Sequence, residues 1–161
     1  MVRKIQIGVM GSAADLGYSE AVARLAEEIG REVALAGCTL VFGAEKDCDS
    51  LSSAAGRGAR SVGGLTVGVT YGKGLAVYDD ADVIIAISGG SGTLTEMVVA
   101  YQASIPVIGL CGCGGWSEKL AGTAFDARRP YLAVKPAATA KQAVELALAA
   151  FRDGGEDVKR S

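Results

Sequence analysis

Short apolar runs alternate with helical patterns along the chain. Apolar runs predict strands at 4–9, 38–42, 65–70, 82–87 and 106–110, and a short sixth strand at 131–134. Apolar positions at helical spacing predict helices after Ser19 and at 51–62, 94–104 and 138–152. Because strands and helices alternate, the pattern predicts a Rossmann-like, doubly wound parallel α/β sheet. We expect a single domain at 1–152, followed by a polar C-terminal tail at 153–161.

The most informative segment is the glycine motif at 88–96, with the sequence SGGSGTLTE. It follows the predicted strand at 82–87 and leads into the next helix. The first N–H groups of a helix have no intrahelical partner and carry the positive end of the helix dipole. Glycines allow a ligand to approach these groups, so the motif favours an anion and above all phosphate. No Lys follows the last glycine and the spacing is not G-x-G-x-x-G, which excludes the two common nucleotide fingerprints.

A second interpretation of the motif needs no ligand. Thr93 and Glu96 stand at the spacing of a capping box, in which each side chain bonds the backbone N–H of the other residue. On this interpretation the motif only starts a helix, and both alternatives stay open at this point.

Two further loops are expected at the same edge of the sheet, because each also follows a predicted strand. In a parallel sheet, ligands bind outside the carboxyl ends of the strands, near a point where the strand order reverses. The convergence of three loops therefore predicts a ligand site at this edge. Its predicted binding residues are Gly11, Ser12, Gly43, Ser88, Gly89, Gly90, Ser91, Gly92 and Thr93.

Composition narrows the class of protein. The 161 residues carry a net charge of −2 without a basic stripe, which argues against nucleic acid as a partner. The apolar runs are too short to span a membrane, and the predicted first strand leaves no room for a signal peptide. The absence of histidine removes the commonest general base and metal ligand, and the four cysteines do not have a zinc spacing. We expect a cytoplasmic protein with reduced thiols and without a metal site.

Two apolar features have a packing interpretation beside a functional one. Trp116, the only tryptophan, could cover a planar ligand or could seal the sheet edge or a subunit contact. The predicted helix at 94–104 has an apolar stripe wider than one face of a sheet needs, which predicts a homodimer at least. The stripe contains Leu94, Met97, Val98 and Tyr101.

The glycine motif also resembles a known superfamily. GGSGTLTE after an apolar strand, with GARSVGGLTVGV before it and IPVIGL after it, is similar to the LOG-like superfamily over roughly residues 4–150. That superfamily includes cytokinin-activating phosphoribohydrolases, proteins long misannotated as lysine decarboxylases, and molybdenum cofactor carrier proteins. The chain most resembles the carrier branch and its uncharacterised prokaryotic relatives.

The resemblance implies a Rossmann-like fold, a homodimer or dimer-based tetramer, and phosphate binding at the glycine motif. In the phosphoribohydrolases of the superfamily, the glutamate of the motif acts with an arginine from the preceding segment. Glu96 matches the glutamate, but residues 71–81 contain no arginine, and Lys73 is their only cation. A lysine cannot supply the bidentate fork of an arginine.

We therefore expect a binding or carrier protein for a phosphorylated pterin- or nucleotide-like molecule, with molybdenum cofactor as the first choice of ligand. Such a protein requires no cofactor for catalysis. One alternative is a nucleoside 5′-monophosphate phosphoribohydrolase that uses Glu96 with Lys73. Another is a non-catalytic nucleotide sensor.

Overall fold

The protein forms one twisted sheet with helices on both faces. The computed structural model describes residues 3–44, 49–70 and 81–157. In this part of the chain, all neighbouring strands are parallel, in the order β3-β2-β1-β4-β5-β6. The strands are β1 (Gln6–Gly11), β2 (Thr39–Ala44), β3 (Thr66–Thr70), β4 (Val83–Ile87), β5 (Val107–Leu110) and β6 (Lys135–Ala137). The predicted Rossmann-like α/β fold is confirmed.

The helices divide between the two faces of the sheet. In the described residues they are α1 (Glu20–Leu35), α2 (Leu51–Ser61), α3 (Ser91–Gln102), α4 (Gly115–Leu120) and α5 (Ala140–Asp157). Helices α1, α2 and α5 pack on one face, whereas α3 and α4 pack on the other. Ser19 caps α1, because its side chain accepts a hydrogen bond from the backbone N–H of Val22.

Alternate strand residues supply the cores of the two faces. In β1, Ile7 and Val9 point into the α1–α2–α5 core, and Met10 points into the α3–α4 core. Strand β4 is buried along its whole length, as expected for a central strand of a parallel sheet. The sheet is therefore fixed from both sides, and its carboxyl ends present loops from a rigid base.

The predicted sixth strand at 131–134 is wrong. Pro130–Leu132 is a 3₁₀ turn, and β6 begins at Lys135, which pairs with Ile108 of β5. Proline has a fixed φ that suits the first position of a helical turn, so Pro130 starts a turn here and not a strand. Helix α5 also continues to Asp157, so the first residues of the predicted polar tail are helical.

Helices α1 and α2 approach each other backbone to backbone. A Cβ atom at Gly30 would lie 1.9 Å from the carbonyl oxygen of Ala55, and one at Gly58 would lie 1.9 Å from that of Glu27. Both distances are far below van der Waals contact, so this contact requires glycine at both positions.

A membrane-spanning helix is not found in the described part of the chain, where each helix is too short or too polar.

Candidate functional site

The candidate site lies where the strand order reverses, between β1 and β4. These strands are neighbours, and the last residue of β1, Gly11, is in register with Ile87, the last residue of β4. The loops that leave the two strands therefore start side by side and lead to helices on opposite faces. This is the position at which open parallel sheets bind ligands.

The loop after β1 holds the start of the glycine motif. The Ser12 hydroxyl oxygen accepts a hydrogen bond of 2.9 Å from the backbone N–H of Gly89. The same hydroxyl donates to Ser88 Oγ at 3.3 Å. The backbone of Ser88 has φ 55° and that of Gly89 has φ 99°, both in the left-handed region. The chain thus turns sharply after β4, and Ser12 fixes that turn from the neighbouring strand.

The loop after β5 and the first turn of α4 hold the same turn from the other side. Backbone N–H groups of Trp116 and Ser117 donate to the carbonyl oxygens of Gly89 and Ser88, each at 3.0 Å. The N–H of Ser88 points to Cys113 Sγ at 3.2 Å. The sequence suggested only the Trp116 ring as a possible ligand contact and did not assign Cys113 or Ser117 to the site. The sequence nevertheless contains an indication of this contact. The Cys-Gly-Cys-Gly-Gly-Trp segment follows β5, which is the neighbour of β4, so the segment leaves the sheet at the same edge as the glycine motif.

The structure supports the packing interpretation of Trp116. Its ring is partly buried against the α3–α4 core, and Lys119 Nζ lies 4.8 Å from its centroid. At the site, this segment acts through its backbone N–H groups and through Cys113 Sγ.

The first turn of α3 is open toward solvent. Gly90 is the N-cap residue, no side chain caps the helix, and Ser91 and Gly92 are exposed. A Cβ atom at Gly92 would meet nothing within 4 Å. The N–H groups of Ser91, Gly92 and Thr93 lie in a first helical turn, where no intrahelical acceptor exists. These amides and the helix dipole can together bind the oxygens of an anion.

The capping-box interpretation is wrong, because α3 begins three residues earlier than predicted. Thr93 is the third residue of the helix and is buried beneath the turn, where a Cβ atom at Gly89 would lie 2.4 Å from Thr93 Cβ. Glu96 lies in the second turn and is 8% exposed. A glutamate in this position cannot cap the N-terminus.

Gly43 lies at the same edge of the sheet but one strand further out. It is in register with Val69 of β3, and its carbonyl oxygen accepts a hydrogen bond from Ser52 Oγ at 3.2 Å. The hydrogen bonds of the described residues do not join Gly43 to the glycine motif. The three loops therefore leave the sheet at the same edge, as predicted, and a hydrogen bond to Ser12 joins the loop after β1 to the glycine motif. Lys73 lies outside the described residues.

The end of the loop before α2 is attached to the loop after β1. The N–H of Ala14 donates to the carbonyl oxygen of Asp49 at 2.8 Å, and the N–H of Leu51 donates to the carbonyl oxygen of Ser12 at 2.9 Å. Arg57 donates to the Asp49 carboxylate at 2.8 Å, and this hydrogen bond holds the pKa of Asp49 below its usual value. The carboxylate thus stays ionised near neutral pH and keeps this contact in place.

Comparisons with known proteins agree with the fold. The SLOG cluster4 family matches residues 4–77. Among curated protein sequences, none matches the chain. Among solved structures, the structural-genomics target TM1055 has a TM-score of 0.77 and 25% identity, over 88% of this chain and 97% of its own.

Two further solved structures come from proteins with a named ligand. The molybdenum cofactor carrier protein of Chlamydomonas reinhardtii is 25% identical with a TM-score of 0.75, over 93% of this chain and 99% of its own. The molybdenum cofactor binding protein of the phototrophic bacterium Rippkaea orientalis is 26% identical with a TM-score of 0.73, over 92% and 98%. The resemblance of the chain to the LOG-like superfamily, with the molybdenum cofactor carriers among its relatives, is thereby confirmed.

Proposed function

We propose that the protein binds and carries a phosphorylated pterin-like molecule, and that this molecule is molybdenum cofactor. The first turn of α3 carries this proposal, because it presents uncapped amides at the switch point of the sheet. The phosphate of the ligand would accept hydrogen bonds from the N–H groups of Ser91, Gly92 and Thr93. The structural likeness to two proteins that bind or carry this cofactor supports the choice of ligand.

The residues around the turn suit such a ligand. Ser88 and Gly89 direct their own N–H groups to Cys113 and Ser12, so these two amides are already bonded. The next amides along the chain are those of the first helical turn, beside the open space at Gly92. A phosphate at this position would therefore accept hydrogen bonds from amides that are not used to hold the turn.

Native mass spectrometry of protein purified without oxygen tests the ligand directly. We expect a fraction of the protein to carry a phosphorylated pterin, and the bound mass to disappear after mild denaturation. A bound nucleoside monophosphate in its place would contradict the choice of molybdenum cofactor. Bound material without phosphate would contradict the role of the α3 amides.

The buried Glu96 gives one specific reason to test a second function. Since Glu96 does not cap the helix, this carboxylate at the end of the glycine motif could instead stabilise a developing ribosyl cation, as in a nucleoside monophosphate hydrolase. We expect the wild-type protein to release no base from AMP above background, because residues 71–81 contain no arginine. Base release is measured by chromatography of the reaction mixture.

Turnover that the Glu96→Gln variant abolishes would reverse this conclusion and favour the hydrolase. Gln keeps the size of the side chain and removes its charge, so its effect would fall on turnover and far less on binding.

We also propose that the protein forms a homodimer through α3. The apolar stripe that α3 exposes is narrower than predicted, because Met97 and Tyr101 are buried within the chain. Val98 remains 37% exposed and Leu94 is half-buried, so these two residues form the outward part of the stripe. Sedimentation at micromolar concentration is expected to show a dimer. The Val98→Glu variant is expected to shift the population toward monomer, because it places a charge in an apolar contact. A wild-type protein that sediments only as a monomer would contradict this proposal.

A further inference from the structure

A large apolar side chain lies at the edge of the candidate site. Leu16 follows β1 in the loop at 12–19, and it is 59% exposed. It extends over the start of α3, since a Cβ atom at Gly90 would lie 2.7 Å from Leu16 Cδ1. Gly90 has an ordinary extended backbone with φ −94°, and a methyl group added there would meet the end of the Leu16 side chain and not backbone.

The turn that carries Leu16 is fastened to its surroundings. Leu16 is the last residue of the 3₁₀ turn Ala14–Leu16, and its N–H donates to the carbonyl oxygen of Ala13 at 3.1 Å. Ala13 forms an antiparallel bridge with Ser50, and Ala14 donates to Asp49. Because the start of the turn is bonded to the loop before α2, the backbone that carries Leu16 is held beside the motif without a ligand.

The placement of Leu16 separates two kinds of ligand. Inorganic phosphate or a small sugar phosphate would use only the amides of α3 and would leave the leucine exposed. A phosphate that carries a planar heteroaromatic ring could lay the face of that ring on the leucine methyl groups and remove apolar surface of the leucine from water. An exposed leucine within contact distance of the N-cap residue therefore suits a phosphate with a planar ring better than inorganic phosphate or a small sugar phosphate.

We propose that Leu16 is a specificity-determining residue, on which the ring of a bound organic phosphate packs while the amides of α3 hold its phosphate. The inference rests on the proposed function, because it assumes that the phosphate binds at the first turn of α3. It adds the requirement that the ligand has a planar ring on the β1 side of that turn.

Two probes separate the ring from the phosphate. Neopterin monophosphate has both groups, whereas glycerol 3-phosphate has the phosphate alone. Affinities are measured by isothermal titration calorimetry, and the fluorescence of the pterin gives an independent signal for the first probe. For Leu16→Ser we expect a loss of about five- to tenfold in affinity for the pterin, which corresponds to removal of part of a leucine contact. Affinity for glycerol 3-phosphate should change less than about twofold, since its phosphate contacts only the amides.

Leu35→Ser is the matched control. Leu35 is 69% exposed at the end of α1, where the chain enters the opposite edge of the sheet. It should leave both affinities unchanged. Leu16→Met, which keeps an apolar side chain of similar size, should retain most of the affinity for the pterin.

The outcomes distinguish this inference from the function on which it rests. Equal binding of the pterin by wild type and Leu16→Ser would overturn the role of Leu16 and would leave the phosphate site intact. A parallel loss for both probes would also overturn it, because Leu16 would then act through the turn and not on the ring. Binding of neither probe by the wild-type protein would overturn the proposed function, and this inference with it.

Discussion

Gly92→Asp is expected to weaken binding of the phosphorylated ligand by about tenfold or more, which corresponds to at least ~1.4 kcal/mol. The new carboxylate would stand in the open space beside the first turn of α3, at the place where the phosphate is proposed to bind. Its negative charge would repel the phosphate and would compete for the same amides. Titration calorimetry with neopterin monophosphate measures the effect.

Folding stability provides the internal check on this variant. An acidic residue in the first turn of a helix is favourable, so the free energy of unfolding should stay the same or rise slightly. Gly92→Asn has nearly the same size without the charge and should retain clearly more affinity than Gly92→Asp. If Gly92→Asp binds the probe as well as wild type does, the anion site at α3 is refuted.

Gly58→Ala is expected to lower the free energy of unfolding by about 2–3 kcal/mol, a large share of the stability of a small domain. The added methyl group would lie 1.9 Å from the carbonyl oxygen of Glu27, which belongs to the backbone of α1 and cannot rotate away. Helices α1 and α2 would have to move apart, although alanine is otherwise the better helix former. Urea denaturation followed by circular dichroism measures the change.

Gly92→Ala is the control for this second variant. It makes the same substitution within a helix, at a position where the methyl group meets nothing within 4 Å. Its stability should equal or exceed that of wild type by up to about 1 kcal/mol. Equal stabilities for Gly58→Ala and wild type would show that the two helices can separate without cost, which would contradict the close contact.

The hydrophobic pattern was sufficient to predict the architecture. Strands of five or six residues buried on both faces, such as β4, give continuous apolar runs, and their alternation with helices leaves few arrangements of a parallel sheet. The position of the site followed from the same reasoning, because strand ends must meet at one edge.

Features that depend on single residues or on contacts between distant loops were not predictable in this way. The start of α3 was placed three residues too late, because a glycine N-cap leaves no side-chain signal whereas Thr93 and Glu96 imitate one. Helix α4 has six residues, too few for a period to be recognised. The contact between α1 and α2 depends on Gly30 and Gly58. Hydrophobic periodicity does not reveal this contact, because a glycine within a helical pattern only weakens the prediction of a helix.

The bonded turn at Ser88 has a consequence for the rate of binding. Its left-handed backbone costs on the order of 1 kcal/mol for a residue other than glycine, and hydrogen bonds to the loop after β1 and to the first turn of α4 keep it in place. Because the turn is fixed before a ligand arrives, association requires no rearrangement of this loop and loses little chain entropy. Differences in affinity between related phosphates should therefore appear chiefly as differences in residence time, with similar association rates, in stopped-flow measurements.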